Sequence, residues 1–159
     1  MMKNKPWKAY VFWILFTEAV GAAASLLTRE GSAIYSETVV KPLLSPPPPV
    51  FPIAWGILYA LMGIGAAMIW LAPASADRSK SIALYLVQLL FNFVWSFIFF
   101  NFRAFNAAFF WLVILFVLVL LMTLSFRKVN RTAALLQIPY LLWLLFAGYL
   151  NLGVWLLNR

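Results

Sequence analysis

"KPLLSPPPPVFPIAWGILYALMGIG", residues 41–65, decides how the chain folds. Its first half is stiff. Pro42, Pro46 to Pro49 and Pro52 each lock φ at about −65° and remove a backbone donor. Its second half opens an apolar run over residues 51–71, long enough to cross a bilayer at about 20 residues. A residue before proline avoids the helical region, so the prolines keep this helix from starting early. Pro52 fits the first turn, where its missing N–H is not needed. Pro46–Pro49 reads as a preordered extended rod of about 12 Å, at about 3.1 Å per residue. It can serve as a plain linker or as a cap across the mouth of a bundle.

Outward from this stretch, four more apolar runs reach spanning length, over residues 9–27, 81–101, 105–126 and 132–156. The 159 residues are 65% hydrophobic and only 10% charged, against about 25% charged in a soluble domain. The expected fold class is therefore an all-α membrane protein. Residues 1–159 form one domain, a five-transmembrane-helix bundle with residues 28–50 as a lid loop. Lys3, Lys5 and Lys8 precede the first run as in a signal peptide. But "AVGAAASLL" carries it past the about 7–15 apolar residues of a signal core, which predicts a retained helix. Short links after the second span make successive helices antiparallel neighbours. No internal repeat is visible, which argues against an inverted-repeat transporter.

The charges set an orientation. Lys3, Lys5, Lys8, Arg78, Lys80, Arg127, Lys128 and Arg131 fall on the N-terminal side, and Arg29, Lys41, Arg103 and Arg159 on the other. Cytoplasmic loops carry the excess of Lys and Arg, so the N-terminus is predicted cytoplasmic. The net charge of +8 is thereby a topology signal, and no nucleic-acid partner is expected. The chain has no Cys and no His. That excludes disulfides, thiolate chemistry and the usual general base. No metal site and no required cofactor are expected.

Polar and aromatic residues form stripes inside the spans. In "YLVQLLFNFVWSFIFFN" Gln88, Asn92 and Ser96 share one helix face, with Trp95 beside them. Two readings are open for these amides: interhelical hydrogen bonds, or the wall of a ligand cavity. In the last span Pro139, Trp143, Ala147, Asn151 and Trp155 recur every four residues, and Pro139 is expected to kink the helix. Ala147 leaves room between large neighbours, or serves tight helix packing. In the second span Trp55, Tyr59 and Met62 share a face. Gly56 with Ala60, and Gly63 with Ala67, form small-xxx-small pairs suited to a helix–helix or dimer contact. Glu18 stands mid-span, either as a functional carboxylate or as a protonated partner of a neighbouring helix. The fourth span has almost no polar face and is expected to meet lipid widely. Trp7, Trp13, Trp70, Trp111 and Trp155 fall near span ends and read as interface anchors.

Three motifs, "KPLLSPPPPVFPIAWGILYALMGIG", "QLLFNFVWSFIFF" and "PYLLWLLFAGYLN", occur in order on the second, third and fifth spans. Together they resemble the TspO/MBR family, the tryptophan-rich sensory proteins and translocator, or peripheral-type benzodiazepine receptor, proteins. The resemblance runs over about residues 10–158. It implies a homodimer of five-helix bundles in lipid. It also implies a pocket under the first loop for tetrapyrroles of the protoporphyrin type and for drug-like aromatic ligands. Carried onto this chain, the pocket positions are Trp55, Asn92, Trp95, Trp143, Ala147 and Asn151, and the lid positions are Lys41, Pro42, Pro46 and Pro47. Tyr59 joins them by sharing the face of Trp55. Leu44 stands where the family loop carries Trp, and Tyr35 is one residue out of step with the family's loop tyrosine. "LNLGVWLLNR" has no Tyr near Arg159, so the cholesterol pattern of mitochondrial members is lacking.

Three functions follow as expectations. The first is a tetrapyrrole-binding sensor, scavenger or regulator, with indoles stacked on the ring and Lys41 or Arg29 near its carboxylates. The second is an enzyme that degrades porphyrin under light through Trp55 and Trp143; dark hydrolysis lacks an acid–base pair. The third is a small-molecule transporter. A bacterial cell membrane suits the charge bias.

Overall fold

The computed structural model describes residues 5–159; Lys3, one of the orientation charges, lies outside them. All regular structure there is helical. α1 (Pro6–Leu27) is followed by α2 (Arg29–Thr38) and α3 (Val50–Leu71). α4 (Ala76–Ser96) runs into a widened π turn at Phe97–Asn101, then come α5 (Phe105–Val129), α6 (Arg131–Leu135) and α7 (Ile138–Leu157). Five segments are long and apolar enough to cross a membrane, the last made of α6 and α7 together.

The helix ends follow local chemistry. Pro6 opens α1, and Ser75 caps α4 by accepting from the Arg78 N–H at 3.1 Å. Arg127 and Lys128 sit in the last turn of α5, where cations suit the helix dipole. Asn130 ends α5 and caps α6 through the Ala133 N–H at 3.1 Å. Pro139 does not kink a continuous helix: the chain breaks at Leu136–Gln137, and Pro139 lies in the first turn of α7. A proline there lacks an N–H that would have no partner anyway.

Two further expectations change in the segment before α3. Residues 28–50 are not all loop, because α2 occupies the first half. Its polar sequence "REGSAIYSET" carries no spanning signal, and it is held by packing: Tyr35 meets Phe99 at 5.3 Å and Phe100 at 5.5 Å between ring centroids. The proline rod is also shorter than its sequence suggests. Pro49 already has helical dihedrals (φ −65°, ψ −18°), and the Val50 N–H donates to the Pro47 carbonyl at 3.0 Å. Pro49 precedes Val50 rather than another proline, so nothing bars it from the helical region.

α3 packs along α1, while α5 packs along α4 and α7. A Cβ on Gly63 would stand 2.6 Å from Ile14 Cα, so α1 and α3 touch backbone to backbone. The Gly63–Ala67 pair therefore serves a contact within the chain. Lipid is as apolar as leucine, so such contacts hold by close packing rather than by expulsion of water. Trp13 is only 6% exposed, packed edge-on to Tyr85 at 5.7 Å, and is core rather than an interface anchor. Along α5, Leu112, Leu115, Val119 and Met122 are buried, whereas Phe110, Val117, Leu121 and Leu124 face outward.

Candidate ligand cavity

The half of the bundle under α2 and the proline segment is not filled. A cavity of about 600 Å³ lies among α1, α3, the end of α4 and α7. Its size is within the range of small-molecule sites, about 300–1,000 Å³. Trp55 and Tyr59 from α3 stack at 5.4 Å, and Trp143 from α7 meets Trp55 edge-on at 6.2 Å. Trp95 stacks on Phe99 at 4.9 Å, and the π turn brings Phe99 and Phe100 to the cavity. An extra residue in that turn shifts the register of these rings, a feature common at functional sites. Ala147 and Gly56 line the space with little bulk.

The polar groups sort into two sets. Trp95 Nε1–H donates to Asn151 Oδ1 at 3.1 Å, and Asn151 Nδ2–H donates to the Phe105 carbonyl at 2.8 Å. Tyr59 O–H donates to Asn92 Oδ1 at 2.8 Å, and Asn92 Nδ2–H donates to the Tyr140 hydroxyl at 2.7 Å. Tyr140 in turn donates to Gln88 Oε1 at 2.9 Å. These groups satisfy one another. Glu18, from the middle of α1, and Arg29, at the start of α2, also line the cavity but make no hydrogen bond to protein among the described residues.

Sequence and structure part at Asn92. It is 3% exposed and lies behind Tyr59, outside the cavity lining, because both its amide ends are engaged by tyrosines. Trp55, Tyr59, Trp95, Trp143, Ala147 and Asn151 do line it. So does Tyr35, despite its shifted place before Lys41, and burial pushes its phenol above the ordinary value. Phe99 and Phe100 were not among the residues expected at the site, because their direction depends on the π turn. The Glu18–Ala22–Ser25 stripe on α1 has helical spacing and was legible in principle.

The roof is strapped down at its far end. Asn158 accepts from the Val40 N–H at 2.9 Å and donates to the Val40 carbonyl at 2.8 Å. Tyr149 O–H donates to the Leu43 carbonyl at 2.7 Å. Pro42 rests on Gly153, where an added Cβ would stand 2.5 Å from the proline Cβ. Pro46 lines the cavity, but Pro42 and Pro47 do not. Lys41 Nζ reaches the cavity wall while donating to the carbonyls of Ser36 at 3.1 Å and Val39 at 3.2 Å, near the end of α2. Leu44 points away, 75% exposed, with left-handed backbone at φ 69°.

Residues 13–156 match the TspO/MBR family. The chain belongs to that family. It is 35% identical over 144 residues to the tryptophan-rich protein TspO of Chlorobaculum tepidum, covering 88% of this chain and 89% of the relative. It is 36% identical over 145 residues to the tryptophan-rich protein TspO of Archaeoglobus fulgidus, covering 91% and 94%. The translocator protein of Bos taurus is 32% identical over 156 residues, covering 97% of this chain and 92% of the relative. With five apolar helices of spanning length, this TspO/MBR chain is an integral membrane protein.

Proposed function

We propose that this TspO/MBR protein binds tetrapyrroles of the protoporphyrin type, and similar flat aromatic molecules, in the cavity under α2. It acts there as a sensor, scavenger or regulator. The observation that carries this reading is three indoles, Trp55, Trp95 and Trp143, brought from three helices to one apolar space. Stacking on such walls suits a flat ring. Arg29 at the roof suits its carboxylates, by charge-assisted hydrogen bonds. Lys41 is turned toward helix carbonyls and contributes chiefly by holding α2. No His or Cys is present to ligate haem iron, so metal-free porphyrin binds at least as well as haem.

The test is a protoporphyrin titration of the purified protein, followed by tryptophan fluorescence in the dark. Saturable quenching that weakens in Trp55→Ala supports the reading. Unsaturable quenching equal to that of free tryptophan overturns it. The edge-on pair Trp55–Trp143 at the cavity favours a second reading, light-dependent breakdown of the ring. Loss of ring absorbance under illumination, absent in Trp55→Phe and Trp143→Phe, would support it. The proposal extends to a homodimer in a bacterial cell membrane with the N-terminus cytoplasmic. Crosslinking in membranes and a protease-accessible N-terminal tag test those two points.

A further inference from the structure

We propose that Glu18 selects the ligand: the cavity prefers an aromatic frame carrying a cationic or N–H donor nitrogen, placed against this carboxylate. The inference rests on reading the cavity as a ligand site and adds the chemistry of its deep end. Glu18, Ala22 and Ser25 share the α1 face that lines the cavity. Glu18 precedes Thr28, the last residue before α2, by ten positions, about 15 Å along a helix. The carboxylate thus lies well below the Arg29 end. The cavity has a carboxyl group halfway down and a guanidinium at its roof.

Among the described residues that line the cavity, Glu18 is the only acid, and the buried Trp143 indole N–H, which also lacks a protein partner, can only donate. The Tyr59 hydroxyl, nearest in the stack, is turned to Asn92, and its ring covers Gly21. The α4 amides are closed into their own chain with Tyr140. Glu18 is partly buried and shares the cavity wall with Trp55, Tyr59 and the small residues of α1. A carboxylate is costly to hold at mid-span, which makes a binding role the default reading. In such a low-dielectric place a donor nitrogen meets it with more force than in water. The indole faces add attraction for a cation and none for an anion. An amphoteric aromatic molecule satisfies both ends, with acidic groups at Arg29 and donor nitrogens at Glu18.

The test uses the full chain in uncharged detergent, titrated with aminoacridine, a planar cation, and with anthracene, the same three-ring frame without nitrogen. Protoporphyrin is run in parallel. The wild-type protein is expected to prefer aminoacridine. Glu18→Gln should weaken aminoacridine about tenfold to a hundredfold and leave anthracene within about twofold. Glu18→Asp, which keeps the charge, should retain most of the preference. Equal loss for both probes, or unchanged aminoacridine binding in Glu18→Gln, overturns the proposal. Should wild type bind aminoacridine selectively but not protoporphyrin, the porphyrin reading falls and the Glu18 assignment stands. Protoporphyrin binding without any aminoacridine preference gives the reverse.

Discussion

Two polar stripes cross the same bundle and do different work. On α4, Gln88 and Asn92 are sealed into a chain with Tyr59 and Tyr140, and no part of that chain lines the cavity except the ring of Tyr59. On α1 and α2, Glu18 and Arg29 line the cavity and have no protein partner among the described residues. Gln88 and Asn92 lie one turn apart on one helix, whereas Glu18 and Arg29 lie on successive helices, but spacing is not what separates the two pairs. The difference is what stands opposite: tyrosines from α3 and α7 face the amides, whereas open space faces the charges. A polar residue inside a membrane is structural when its partners are already in the fold and available when they are not.

The hardest blow to this contrast is aimed at Asn92. Asn92→Ala strands the buried Tyr59 hydroxyl, leaves Tyr140 only its bond to Gln88, and should cost about 2–3 kcal/mol of stability. Thermal unfolding in detergent reads that loss, and the protein that stays folded should bind protoporphyrin within about threefold of wild type. A large affinity loss with no stability loss would make Asn92 a ligand contact after all. Trp143→Ala is the opposite case. It removes a cavity wall and should weaken protoporphyrin about tenfold while shifting unfolding little.

Smaller effects sharpen the picture. Arg29→Gln should weaken protoporphyrin about threefold to fivefold and leave its dimethyl ester unaffected, since a partly exposed ion pair contributes modestly. An equal change for acid and ester would remove Arg29 from carboxylate recognition. Gly153→Ala places a Cβ against Pro42 and should lift the strapped end of the roof. The expected result is porphyrin release faster by about twofold to threefold in stopped-flow fluorescence, the scale of a small packing change. Unchanged release would mean that the contact does not control the roof.

Much of the fold was legible in the chain. The spanning runs are set by hydropathy alone, because lipid admits only helices or closed barrels. The indoles at 55, 95 and 143 were legible as candidates from their faces. Which of its two readings Asn92 takes was not legible, since helical spacing names a face but not the residue opposite. Trp13 looked like an anchor because it stands near a span end, and only packing on Tyr85 places it in the core. α2 was missed because a short polar helix over the bundle is held by Phe99 and Phe100, far away in sequence.

By itself, then, the sequence determined the membrane class, the helices and the proline stop before α3. These are local properties, fixed by composition, period and backbone restriction. The tertiary structure alone decided which polar groups are engaged, where the void lies and how the roof is tied to Asn158 and Gly153. Those depend on atoms from distant segments meeting within hydrogen-bond or contact range, and no single stretch of chain contains them.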